Sequence, residues 1–145
     1  MLLDEITTAF DLIDSPKANG KSVVETWKSY NEDPSAEYKT VEGDDGSTDF
    51  VKLRVAGFKG KINGGDAPTI GVIGRLGGVG ARPDAIGAVS DADGAIVAIS
   101  LGIKLLKMLT RGASLPGAAI ISTHICPNSP TQPHEPVDFM GAPVD

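Results

Sequence analysis

The stretch Thr69-Ile70-Gly71-Val72-Ile73-Gly74, running into Arg75-Leu76-Gly77-Gly78-Val79-Gly80, decides how this chain folds. A short apolar run bounded by turn residues reads as a strand buried on both faces, with a glycine loop behind it. Downstream, Ala118-Ala119-Ile120-Ile121-Ser122 is a second such run, ending at Thr123-His124. Between them, Ile96, Ile99, Leu101, Ile103, Leu105, Leu106 and Leu109 surround much of a helical circumference. That pattern predicts a largely buried helix over about 92–111. Ser90 and Asp93 resemble a capping box at its start, and Arg111-Gly112 supplies a basic last turn and a glycine stop. Strand, glycine loop, long helix and strand make one right-handed βαβ unit. The fold class expected is therefore α/β, a three-layer α/β/α arrangement with a mixed, partly parallel sheet.

Outward from this unit, Leu2, Leu3, Ile6, Phe10 and Ile13 recur at helical spacing, with Asp4, Glu5 and Asp11 on the other face. Ser15-Pro16 ends that helix. A second follows Asn19-Gly20, carries Val23, Val24, Trp27 and Tyr30, and stops before Pro34. From Tyr38 the period changes: Val51, Leu53 and Val55 alternate with Lys52 and Arg54, a half-buried strand preceded by a polar turn at 42–47. After Pro127 come Pro130, Pro133, Pro136 and Pro143, which predict an extended tail without regular elements. The expected organisation is a helical segment at 1–34, an α/β core at 35–127 and a proline-rich tail at 128–145, one domain in all.

Composition removes several classes of function. The 145 residues are 41% apolar, enough for a core, and carry 13 Lys plus Arg against 19 Asp plus Glu, a net charge of −6. That balance lacks the basic footprint needed to bind nucleic acid or an anionic membrane. No apolar run approaches the roughly 20 residues of a membrane span. The acidic start, Met1-Leu2-Leu3-Asp4-Glu5, is unlike a basic signal peptide, and the single cysteine, Cys126, excludes an internal disulfide. A cytoplasmic setting is expected.

In open α/β sheets, ligands bind beyond the carboxyl ends of the parallel strands. That rule brings Arg75, Asp91, Asp93, His124 and Cys126 towards one edge. The sequence over 74–80 does not match a dinucleotide fingerprint, because its third glycine and helix are misplaced. Its backbone N–H groups at Gly77, Gly78 and Gly80 instead suit substrate contact or an oxyanion. Asp91 and Asp93 repel unless a cation or donors lie between them, and His124 and Cys126 alternate onto one strand face. Asp91, Asp93, His124 and Cys126 are thus a candidate set for a divalent metal such as zinc or manganese. In catalysis, His124 would act as base, Asp91 would orient it and Arg75 would hold a substrate carboxylate in its planar fork. Structural readings stand beside these: Asp93 as a helix cap, His124 as a satisfied strand-end histidine, Cys126 as a buried apolar group.

Four motifs carry a resemblance: Gly-Ser-Thr-Asp-Phe at 46–50, Ala-Pro-Thr-Ile-Gly-Val-Ile-Gly-Arg-Leu-Gly-Gly-Val-Gly-Ala-Arg-Pro at 67–83, Val-Ser-Asp-Ala-Asp-Gly-Ala at 89–95 and Thr-His-Ile-Cys-Pro at 123–127. They resemble a bacterial and archaeal family known as domain of unknown function 1177. Members of that family are longer, which implies that this chain corresponds to their N-terminal half. The sheet is then expected to be completed by a C-terminal half, on the same or a second chain.

A more distant similarity is to the di-zinc exopeptidases and their amidase relatives. There, strand, loop, Asp-bearing helix start and strand follow in the same order. Arg75-Leu76-Gly77 stands where a His-x-Asp ligand pair would be, and Thr123-His124 where Glu-Glu would be. The similarity implies the fold more than a two-zinc site.

The function these resemblances imply is hydrolysis of an amide or peptide bond in a peptide or small molecule. The alternatives are a metal-dependent exopeptidase-like hydrolase, and a non-catalytic scaffold or small-molecule-binding half. The abrupt end at Gly141-Ala142-Pro143-Val144-Asp145 raises a further expectation of self-processing after Asp145, beside chance cleavage in a proline-rich loop or a chosen boundary. In the self-processed form the following residue supplies the nucleophile of a beta chain, and the product is a heterodimer within a higher oligomer.

Overall fold

In the computed structural model, residues 2–75, 87–88, 91–127, 129–136 and 138–144 are described. Two helices open the chain, α1 at Leu3–Ile13 and α2 at Gly20–Tyr30. Helix α2 starts as the sequence predicts. The Asn19 side chain accepts the Ser22 N–H at 2.9 Å, while Ser22 Oγ accepts the Asn19 N–H at 3.1 Å. A hairpin follows, β1 at Ser35–Gly43 and β2 at Gly46–Val55, paired antiparallel in unbroken register from Ser35–Arg54 to Gly43–Gly46. Strand β1 goes beyond the alternation read at 51–55.

After a single 3-10 turn at Lys61–Asn63 come β3 at Ile70–Ile73, α3 at Asp93–Thr110 and β4 at Ala119–Ile125. Strand β3 pairs parallel with β4, matching Ile70 to Ala119 and Ile73 to Ser122. This is the βαβ unit the sequence predicts. The sheet order is β1-β2-β4-β3, mixed and partly parallel. A second, two-stranded pair joins β5 at Thr131–Gln132 to β6 at Phe139–Met140, so the tail expected to lack elements has one short ladder.

One hydrophobic core holds the helices on the sheet. Ala9, Ile13, Val23 and Trp27 of the first two helices and Ile99, Ile103 and Leu106 of α3 pack with Val51, Leu53, Ile121 and Ile125. Buried and half-buried residues alternate along β4, so Ile121, Thr123 and Ile125 face the helices while Ile120, Ser122 and His124 face away. Of the three layers expected, the described residues supply the sheet and one helical layer. No described helix is long and apolar enough to cross a membrane.

Two local readings are corrected. Strand β3 is not buried on both faces: among the described residues it stands at the sheet edge, with Ile70 57% and Ile73 84% exposed. An apolar run shows that a strand is apolar, not that both its faces are covered. The capping box at α3 is also absent, since Ala92 occupies the N-cap without a side-chain cap. Ser90 lies outside the described residues. The predicted stop holds: Gly112, at φ 77°, donates to the Leu109 carbonyl at 2.8 Å and Ala113 to that of Met108 at 2.9 Å.

Candidate functional site

The parallel register carries forward from Ile73–Ser122, because the Gly74 N–H donates to the Ser122 carbonyl at 2.9 Å. Strand β3 ends at Ile73, and Arg75 lies two residues beyond it. The start of α3 meets this strand end backbone to backbone. A Cβ at Gly74 would overlap the Gly94 carbonyl, and one at Gly94 would overlap the Arg75 main chain. The two glycines therefore let a strand end and a helix start touch. Arg75, Asp91 and Asp93 are solvent-exposed around this junction, and Asp91 takes a left-handed φ of 51°.

His124 stands half-buried on the sheet face away from the helices. Its ring meets Phe50 edge to face, with centroids 5.9 Å apart, across the β2–β4 pairing that sets Phe50 opposite His124. Cys126 is 4% exposed, and its Sγ lies 3.4 Å from Thr48 Oγ1. Burial pushes this thiol up, against the hydrogen bonds from Thr48 and Ser129. That is the setting of an inert thiol rather than of a nucleophile or ligand.

Among the described residues the candidate metal donors are dispersed. Asp91 and Asp93 stand exposed at the helix start, His124 faces away from the helices, and Cys126 is committed to Thr48. Among the described residues no group of three or more His, Cys, Asp or Glu side chains is placed to hold a cation. The structure thus brings Arg75 to the helix start that bears the two aspartates, while His124 lies near the end of β4 on the face away from the helices and Cys126 is buried beside Thr48. Gly77, Gly78, Gly80 and Asp145 lie outside the described residues.

A feature absent from the sequence reading crosses the face away from the helices. A groove of about 360 Å³ is lined in part by Glu37, Lys39, Phe50, Lys52 and Ser122. Lys52 Nζ reaches Glu37 Oε1 at 2.7 Å and holds that carboxyl below its ordinary range. Ser122 Oγ donates to the Val51 carbonyl at 2.9 Å. The groove is open, and two of its polar groups already serve each other. The signal for it was the outward side of the β2 alternation, where Phe50 precedes Lys52 and Arg54.

Comparison with known proteins separates fold from function. The bottromycin maturation enzyme BotP, solved in complex with Mn, shares 13% identity with this chain at a TM-score of 0.53, over 89% of this chain and 31% of its own. An M17 aminopeptidase from Trypanosoma brucei aligns at 12% identity and a TM-score of 0.48, over 86% of this chain and 27% of its own. The chain thus spans about a third of the length of the structures it matches, and the BotP likeness is one of fold alone. No curated protein matches the sequence. The model of the family described as protein of unknown function DUF1177 matches residues 39–145, and the chain belongs to that family.

Proposed function

We propose that this chain is a hydrolase of amide or peptide bonds, with its substrate held where the ends of β3 and β4 meet the start of α3. The observation that supports this reading is the Gly74–Gly94 contact, which joins a strand end and a helix start at the edge where α/β folds bind ligands. Arg75 binds a substrate carboxylate through its two-pronged guanidinium. His124, near the end of β4, accepts a proton from the attacking water. Asp91 adds a second polar contact, and its left-handed backbone fits a site held in an uncommon conformation.

A second reading, a non-catalytic binding or scaffold unit, is favoured by the dispersal of donors. The two separate cleanly. Peptides with free and with amidated carboxyl ends are incubated with the purified chain, and products are followed by mass spectrometry. The hydrolase reading expects turnover, with free-carboxylate peptides preferred. Arg75→Ala should raise KM about ten- to a hundredfold, as loss of a charge-assisted pair of roughly 1.5–3 kcal/mol requires. Binding without turnover supports the scaffold, and neither binding nor turnover overturns the placement of the site.

A further inference from the structure

The dipeptide Asn-Gly occurs twice in this chain, at Asn19-Gly20 and at Asn63-Gly64. A glycine after asparagine leaves its own main-chain nitrogen unshielded, because no Cβ stands between it and the neighbouring side-chain amide. That nitrogen can attack the amide carbon and close a succinimide ring. The fold treats the two copies differently.

Asn19-Gly20 is locked at the start of α2. The Gly20 N–H donates to the buried Asp49 carboxylate at 2.7 Å. The Asn19 side chain is held as the helix cap, accepting the Ser22 N–H at 2.9 Å and donating to the Lys17 carbonyl at 3.2 Å. Gly20 is itself buried, and a Cβ there would lie 2.7 Å from that of Asp49. Freeing its nitrogen means undoing the helix start and its packing on β2.

Asn63-Gly64 closes the 3-10 turn on the surface. The Gly64 N–H donates to the Lys61 carbonyl at 3.1 Å, a bond within the turn itself, and a Cβ at Gly64 would find nothing within 4 Å. Both residues are exposed, so opening a single turn releases the nitrogen. We propose that Asn63 is a site of spontaneous deamidation, and that the fold protects Asn19 from the same reaction. The Gly64 nitrogen loses its proton and bonds to Asn63 Cγ. The Cγ–Nδ2 bond breaks, and the side-chain nitrogen leaves as ammonia with that proton. Water then opens the ring at either carbonyl, giving aspartate or isoaspartate.

The modification acts on a structural contact. Asn63 Nδ2 donates to the Gly57 carbonyl at 3.0 Å, and the product carboxylate has no proton to donate there. The loop so closed rests on the turn before β4, where Phe58 N–H donates to Leu115 at 3.0 Å and Lys59 N–H to Pro116 at 2.9 Å. Deamidation therefore loosens the chain over 57–65.

Ageing the purified chain in mildly alkaline buffer, with peptide mass spectrometry at each asparagine, tests this. Asn63 should gain about one dalton as water replaces ammonia, at a rate about tenfold or more above that of Asn19. In urea the two rates should converge. Equal rates in the folded chain, faster conversion at Asn19, or an unchanged Asn63 would overturn the proposal. So would a difference that persists in urea, since local sequence and not the fold would then set it. Asn63→Asp reproduces one product, and trypsin should cut it faster than the wild type at Lys59 and Lys61 with unchanged circular dichroism. Unchanged cutting would overturn the loosening of the loop.

Discussion

Gly102 lies on α3 where a Cβ would sit 2.5 Å from Trp27 Nε1, and that indole N–H donates to the Ile99 carbonyl at 3.2 Å. Gly102→Ala must push a fully buried tryptophan off its partner. It should cost about 1–3 kcal/mol in urea unfolding, the ordinary scale of overpacking. Thr123 offers the reverse case. Its hydroxyl is buried on the helix-facing side of β4 without a hydrogen-bond partner among the described residues. Thr123→Val keeps the shape and removes the unpaired hydroxyl, so it should raise stability by about 1 kcal/mol.

Glu5 is a third test. A backbone hydrogen bond, and then Lys107 at 3.3 Å, hold its carboxyl below the ordinary 4.5 against the cost of burial. Lys107 also pairs with Asp4, which ties α1 to α3. A carboxyl with a depressed folded pKa contributes fully above its unfolded value and loses that contribution as pH falls through the folded one. The stability gap between the wild type and Glu5→Gln should therefore be constant above pH 4.5 and close progressively below it. Urea midpoints at a series of pH values measure this, and a gap indifferent to pH would contradict it.

At the scale of elements, the sequence is legible where an apolar pattern meets a single partner. Helix α3 and strand β4 follow from their buried rows, and the Gly112 stop follows from local chemistry. Strand β1 is not legible, because it is an edge strand exposed along most of its length, with Glu37, Lys39, Thr40 and Glu42 among its residues. A strand wetted on both sides leaves no period-two apolar trace. The exposure of β3 is hidden for the opposite reason: nothing in an isoleucine run distinguishes an interior strand from an apolar edge. Asp49 joins two elements in a way that only coordinates show. Its buried carboxylate accepts the Gly20 N–H at 2.7 Å, at the first turn of α2, and the Thr40 hydroxyl at 2.6 Å from β1. Asp49→Ala should cost about 1.5–3 kcal/mol, read as a lowered urea midpoint with an unchanged slope.

For the whole molecule, the βαβ topology behind the proposed site was legible, and its chemistry was not. Parallel strands joined by a helix predict Arg75, His124 and the start of α3 at one edge, and the Gly74–Gly94 contact brings Arg75 to that helix start. Which face each side chain takes was not legible beyond strand alternation. Cys126 alternates with His124 yet ends in a buried contact with Thr48, because burial depends on what the tail covers. The groove across Phe50 and Lys52 is the alternative place for the proposed site. The most direct test of the central claim compares kcat/KM for peptide hydrolysis in the wild type, Arg75→Ala and Lys39→Ala, with circular dichroism confirming all three folds. A site at the strand ends predicts a loss of about ten- to a hundredfold in Arg75→Ala and wild-type activity in Lys39→Ala. The loss appearing in Lys39→Ala, with Arg75→Ala unaffected, would place the site on the open face and contradict this account.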